Sequence, residues 1–205
     1  MIILTPDADG IAKAAEHLRS GGIVAHPTET CYGFACDLRS AAAVTRLFAL
    51  KQRPADKPVS GLFPSVEQAA AVVAWSDQAQ ALADAHLPGP LTIILPLREG
   101  VHLLPQPTGG ATLGVRISSH PVAMALAQAT GFPVSTTSAN LHGLPNPYST
   151  TAILDQFGAE ALRDVLLLDG GALPGAPPST VIDLATGAVL RSGTVATEPH
   201  ALPPL

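Results

Sequence analysis

Aromatic side chains are scarce in this chain: one Trp, two Tyr and five Phe, 4% of 205 residues. Any core must therefore rest on Ala, Val, Leu and Ile. A surface that binds nucleic acid by stacking bases on rings is disfavoured. Cations are few as well. Eleven Lys and Arg stand against sixteen Asp and Glu, a formal charge of −5. That balance argues against a broad phosphate-gripping face but leaves room for a small basic patch. Only two cysteines occur, Cys31 and Cys36, five apart, which is not the Cys-x-x-Cys spacing of a redox or zinc site. No apolar run approaches the ~20 residues of a membrane-spanning helix. Met1-Ile2-Ile3-Leu4-Thr5-Pro6 has no basic stretch ahead of its apolar run, so no signal peptide is expected and the segment reads as a first strand. A cytoplasmic location with reduced thiols follows as an expectation.

Common catalytic signatures are missing too. The chain has no Gly-x-x-x-x-Gly-Lys-Ser/Thr phosphate loop, no Gly-x-Gly-x-x-Gly, no His-Glu-x-x-His and no Gly-x-Ser-x-Gly. Its seven His form no metal-spaced pair. Covalent and zinc mechanisms therefore have little support.

What is present is an apolar fraction of 47%, punctuated by 20 Pro and 18 Gly that are spread along the chain. This length suits one domain, with residues 1–193 as its body and 194–205 as a loose tail. Thr5 is a candidate N-cap for a helix whose inner face is Ile11, Ala14, Ala15 and Leu18. Gly22 to Ala25 begins a buried strand that stops at Pro27. Ser40 caps a helix with Val44, Leu47 and Phe48 inside. Val59 to Phe63, Leu91 to Leu95, Leu113 to Ile117, Pro133 to Thr137, Val165 to Leu168, Thr180 to Leu184 and Ala188 to Arg191 read as strands. Ser65 to Val73, Pro121 to Thr130 and Thr150 to Phe157 read as helices, and Arg98 to Gly110 as a mobile loop. Early alternation followed by a strand-rich end predicts an α/β fold with a mixed parallel and antiparallel sheet flanked by helices.

Against this acidic background, Lys51-Gln52-Arg53-Pro54-Ala55-Asp56-Lys57 stands out, with three cations in seven residues followed by Pro58. Taken alone it is a solvated helix end whose cations offset the helix dipole. Its prolines also suit a stiffened loop that presents cations to an anion. Four further polar segments fall at strand ends. Pro27-Thr28-Glu29-Thr30-Cys31-Tyr32-Gly33 follows a buried strand. Thr112 and Arg116 share one face by strand alternation. Ser135-Thr136-Thr137-Ser138-Ala139-Asn140 carries five hydrogen-bonding side chains in six residues. Pro178-Ser179-Thr180 precedes Arg191 on the next strand. Each is compatible with an ordinary self-satisfied turn. Together they suit recognition of a polyphosphate by fixed donors at the strand ends of an α/β sheet.

The ordered set Pro27-Thr28-Glu29-Thr30-x-Tyr32-Gly33, Lys51-x-Arg53-Pro54-x-x-Lys57-Pro58, Pro88-Gly89-Pro90-Leu91-Thr92, Val115-Arg116, Ser138-Ala139-Asn140 and Ser179-Thr180-Val181-Ile182-Asp183 with Arg191 resembles the YrdC-like family of threonylcarbamoyl-AMP synthases, in its short single-domain form. The resemblance runs from about Gly21 to Gly193. It implies a twisted mixed sheet with a concave site. It also implies an enzyme that converts L-threonine, bicarbonate and ATP to threonylcarbamoyl-AMP and pyrophosphate. A downstream transferase then moves the threonylcarbamoyl group to an adenosine beside the tRNA anticodon.

By the same resemblance, Lys51 and Arg53 are the catalytic cations. They hold ATP with Lys57, Thr112, Ser138, Asn140, Asn146 and Arg191. Thr30, Arg116, Thr136 and Ser179 hold threonine, with Arg116 pairing its carboxylate. Mg²⁺ enters on the ATP phosphates without a protein metal site. Leu62 stands where many members have His, and Asn146 where many have Ser. The enzyme could also bind tRNA weakly, and two other readings remain open at this point: a non-catalytic module that grips tRNA or rRNA, and a related enzyme acting on another acyl or carbamoyl adenylate.

Overall fold

The structure is a computed structural model that describes residues 1–101, 103 and 110–196. Among the described residues ten strands form one sheet: β1 (Ile2–Leu4), β2 (Ile23–Pro27), β3 (Tyr32–Ala35), β4 (Ser60–Leu62), β5 (Leu91–Pro96), β6 (Thr112–Arg116), β7 (Val134–Ser138), β8 (Val165–Leu168), β9 (Thr180–Asp183) and β10 (Ala188–Arg191). Their order across the sheet is β1-β8-β2-β3-β7-β4-β6-β5-β9-β10. The pairs β1/β8, β2/β8, β4/β6 and β5/β9 are parallel, and the others antiparallel. The helices are α1 (Ala8–Arg19), α2 (Ala41–Lys51), α3 (Val66–Ala70), α4 (Asp77–His86), α5 (Pro121–Thr130) and α6 (Thr150–Ala161). The expected mixed α/β architecture is therefore present.

Alternation along the strands divides the apolar residues between two cores. Ile23, Ala25, Phe34, Val165 and Leu167 join α2 residues Val44, Leu47 and Phe48 in the first. Val24, Ala35, Leu166 and Leu168 join Ile11, Ala14 and Leu18 of α1 and Leu126 of α5 in the second. Leu91, Ile93 and Leu95 of β5, with Leu113 and Val115 of β6, belong to the first core only. Their alternate residues face the other way.

Several elements differ from the sequence expectation. The α1 cap is Asp7, which accepts from the Gly10 N–H at 2.9 Å, while Thr5 donates its hydroxyl to Asp7 at 2.9 Å. Tyr32 to Ala35 is a strand where a polar turn alone was expected. Helix α4 was not expected, although Ser76 caps it by accepting from the Ala79 N–H at 3.2 Å. Its only buried residues are Ala79 and Ala83, too weak a stripe to stand out in sequence. The expected 98–110 loop falls largely outside the described residues. So does the tail from 197 onward. The tail's start is held: the Val195 N–H donates to Thr180 Oγ1 at 3.1 Å, and Thr180 Oγ1 donates to the Val195 carbonyl at 2.7 Å.

Candidate active site

The second core ends at β7 and β4, where Val134 and Leu62 are its last strand residues. Beyond them, on the sheet face opposite the first core, a cleft of about 310 Å³ opens. Its floor is the outward set of the central strands: Thr92 and Ile94 of β5, and Thr112, Gly114 and Arg116 of β6. Gly114 keeps that floor low, since a Cβ there would lie 2.5 Å from Ser60 Oγ and 3.2 Å from Thr92 Cγ2. The site thus spreads across a sheet face, and is not confined to strand ends as the sequence suggested. The helices of the second core stop short of this half of the sheet, which leaves the middle of its strands open.

Nine of the expected site residues line this one cleft: Thr30, Arg53, Thr112, Arg116, Thr136, Ser138, Asn146, Ser179 and Arg191. Three do not. Lys57 is exposed, and its carbonyl accepts from Arg53 Nε at 2.8 Å. Asn140 sits behind Ser138, accepting its hydroxyl at Oδ1 over 2.6 Å. Lys51 is 1% exposed and donates to the carbonyls of Ser138 and Asn140 and to Asn140 Oδ1. Leu62, the position where a His contact was in question, is 1% exposed and belongs to the second core.

The threonines of the 27–33 segment are set by a local turn. The N–H groups of Thr30 and Cys31 donate to Thr28 Oγ1 at 3.1 and 3.2 Å, and Thr28 Oγ1 donates to the Cys31 carbonyl at 2.7 Å. This turn reverses the chain from β2 into β3 and points Glu29 at Arg116. Arg116 Nη2 donates to Glu29 Oε1 at 2.5 Å and to Thr30 Oγ1 at 3.3 Å. Ser118 donates to the other Glu29 oxygen. Burial pushes the Glu29 carboxyl up, but the Arg116 charge and the Ser118 hydroxyl outweigh it and hold it below the usual carboxylate range. Arg116 Nε is buried with no hydrogen-bond partner among the described residues. The Arg116 side chain as a whole lines the cleft, where a guanidinium suits an incoming carboxylate.

On the far wall, Arg191 Nε donates to the Ser179 carbonyl at 2.9 Å and Nη2 to Ser179 Oγ at 2.8 Å. Thr92 Oγ1 and Ser179 Oγ lie 3.0 Å apart, so three side chains form a chain from β5 through Ser179, just ahead of β9, to β10. Arg53 Nε and Nη2 bond the carbonyls of Lys57 and Pro58 at 2.8 and 2.7 Å. Burial lowers the basicity of both Arg53 and Arg191; for Arg53 the Arg191 charge adds to it, for Arg191 the Arg116 charge. Arg191 thus repels Arg53 on one side and Arg116 on the other, and since Glu29 compensates only Arg116, the cavity keeps an excess of positive charge that favours an anion.

Glu29, Ser118 and Thr92 were not singled out from the sequence. Thr92 was recoverable from alternation on β5, since its neighbours Leu91 and Ile93 are core. Glu29 lay inside a quoted motif, but nothing local links it to Arg116, 87 residues away. Cys31, expected to be a plain core thiol, also lines the cleft, and burial pushes its thiol up.

The sequence profile of the Sua5/YciO/YrdC family, described as "Telomere recombination", matches residues 16–193. The chain belongs to this family. A threonylcarbamoyl-AMP synthase of Alkalilimnicola ehrlichii is 38% identical over 186 residues, covering 89% of this chain and 95% of that protein. Among solved structures, E. coli YciO superposes with a TM-score of 0.82 at 29% identity, covering 97% of both chains. P. abyssi Sua5, solved in complex with L-threonine, gives a TM-score of 0.81 at 35% identity over 90% of this chain. This chain spans 54% of that longer protein.

Proposed function

We propose that this protein is a threonylcarbamoyl-AMP synthase, a nucleotidyltransferase of tRNA modification. The observation that carries the proposal is the convergence of Arg53, Arg116 and Arg191, from three distant parts of the chain, on one hydroxyl-lined cleft. Relatives bearing that activity in name cover most of the chain, and P. abyssi Sua5 binds L-threonine.

Adenylyl transfer asks for in-line placement and charge neutralisation more than for a protein nucleophile. Threonine sits on the Arg116 side, its carboxylate paired with the Arg116 guanidinium and its surroundings completed by Thr30, Thr136 and Ser179. Its amine and bicarbonate give N-carboxythreonine with loss of water. A new carboxylate oxygen then attacks the α-phosphorus of ATP, and the bond from that phosphorus to pyrophosphate breaks. Arg53 and Arg191 neutralise the charge that gathers on the phosphates. Thr112, Ser138 and Asn146 complete the nucleotide side. No Asp or Glu lines the cleft among the described residues. Mg²⁺, a hard cation that prefers oxygen ligands, therefore fits as part of the Mg–ATP substrate. The product passes to a transferase acting on tRNA in the cytoplasm.

The test is pyrophosphate release from Mg–ATP with threonine and bicarbonate each omitted in turn. Release that needs both supports the reading. Release indifferent to threonine points to another acyl or carbamoyl adenylate.

A further inference from the structure

Lys51 ends α2 and lies beneath the turn that joins β7 to α6. An ammonium carries three protons, and three acceptors meet it: the Ser138 carbonyl, the Asn140 carbonyl at 2.8 Å and Asn140 Oδ1 at 3.2 Å. All three belong to the turn. The backbone of Lys51 grips the same segment, since its carbonyl accepts from the His142 N–H at 2.9 Å. The ammonium makes no ion pair with a described carboxylate.

The next residues lead into the other wall of the cleft. Gln52 adopts φ 50° and ψ 40°, a left-handed conformation that ends α2 and swings the chain out. Arg53 follows and enters the cleft. Opposite it, Ser138 Oγ is held by Asn140 Oδ1, the same oxygen that accepts from Lys51. One side chain therefore joins the Arg53 loop to the Ser138 turn.

We propose that Lys51 is a positioning residue that locks the Ser138–Asn140 turn against the Arg53 loop, so that the nucleotide side of the cleft is assembled before ATP arrives, and that it is not itself a phosphate ligand. This rests on the nucleotide reading of the cleft. The ammonium's donors are already matched to neutral oxygens. A phosphate could recruit it only by drawing its protons away from the Ser138 and Asn140 carbonyls in a buried site, a costly exchange.

The test compares the native protein with Lys51→Met in two independent ways. Hydrogen–deuterium exchange of the ligand-free proteins reads the turn directly. The segment 138–144 should exchange at least tenfold faster in the variant, with little change at Thr30 to Ala35. Calorimetric titration should show ATP binding weakened at least tenfold and threonine binding within about twofold of native. Unchanged exchange at 138–144 with weakened ATP binding would make Lys51 a direct ligand and overturn the proposal. Faster exchange with native ATP affinity would overturn it as well, because the turn would then not need to be held. Native protein that binds no ATP would sink the nucleotide reading, while the exchange result would still judge the locking role. If Lys51→Met does not fold, Lys51→Gln replaces it with the same two readouts.

Discussion

Glu29 and Arg116 form a buried ion pair across the cleft wall, with Oε1 2.5 Å from Nη2 and side chains 16% and 8% exposed. Glu29 takes up Nη2 of Arg116, so the acid both neutralises the arginine and fixes the orientation of its guanidinium beside the cavity. Glu29→Ala is expected to destabilise the fold by about 3 kcal/mol, the cost of stranding a buried charge. It should also raise the threonine KM more than tenfold, because Arg116 loses its anchor. Thermal melting and initial rates check the two effects. A normal threonine KM would remove Glu29 from the substrate side.

The same pair sets an acid limit on stability. The Glu29 carboxyl is held below its ordinary range, so the unfolded chain binds its proton more readily than the folded one. Its contribution is present above the unfolded pKa and fades as pH falls through the folded value. Below about pH 4.5 the native protein should lose stability more steeply than Glu29→Gln. Parallel acid titrations of the melting temperature decide it; superimposable curves would count against the linkage.

Arg53 stood out in sequence as a candidate phosphate donor on a proline-stiffened loop; the structure places it in the cleft, its fork braced by the carbonyls of Lys57 and Pro58. Arg53→Ala is expected to cost more than tenfold in kcat/KM for ATP, from loss of a charge-assisted contact of roughly 1.5–3 kcal/mol. Arg53→Lys should recover little, since a point charge cannot brace and donate in a plane together. Normal ATP turnover by the Ala variant would be inconsistent with the assignment.

The strands with strong apolar alternation, β5 and β6, were readable, as were the serine-capped helices α2, α3 and α6 and the Gly131 stop of α5. The lone motif-borne residues Thr30, Ser179 and Arg191 were readable as polar positions at or beside strand ends. What alternation and spacing do not carry is pairing across the sheet. β3 was hidden because its short run, Tyr32-Gly33-Phe34-Ala35, follows directly on a polar turn. Its place between β2 and β7 is what brings Thr30 under Arg116. Lys51 shows the same limit. Its charge and loop setting marked it as a cation for the ligand. Only the packing of α2 against the turn after β7 reveals that the ammonium is enclosed by carbonyls.

Thr92 tests whether the hydroxyl chain on the far wall serves the substrate. Thr92→Val keeps the shape of the β5 floor and removes the hydroxyl 3.0 Å from Ser179 Oγ. One neutral hydrogen bond is worth about 1 kcal/mol, so the threonine KM should rise several-fold with the fold intact. Unaltered threonine kinetics would mean that Arg191 alone orients Ser179.

Lys51 should tie ATP affinity to pH near neutrality. Burial, with the Arg53 charge as the smaller cause, pulls its amine down to about 7 from an ordinary 10.5, while Cys31 pulls weakly the other way. Between those values the unfolded chain holds more protons than the folded one, so this group alone makes folding more favourable as pH rises through that window. ATP binding has the opposite sign. A polyanion in the adjoining cleft favours the ammonium, which is also the form with three protons for the turn's three acceptors. Above pH 7, ATP should therefore be bound with uptake of a proton at Lys51, and affinity should fall as pH rises from 7 to 9. Calorimetry at pH 8 in buffers of different ionisation enthalpy reads this uptake directly. The protons of ATP itself cancel when native protein is compared with Lys51→Met. The native protein should take up a clear fraction of a proton more than the variant; equal uptake would show that Lys51 keeps one charge state throughout.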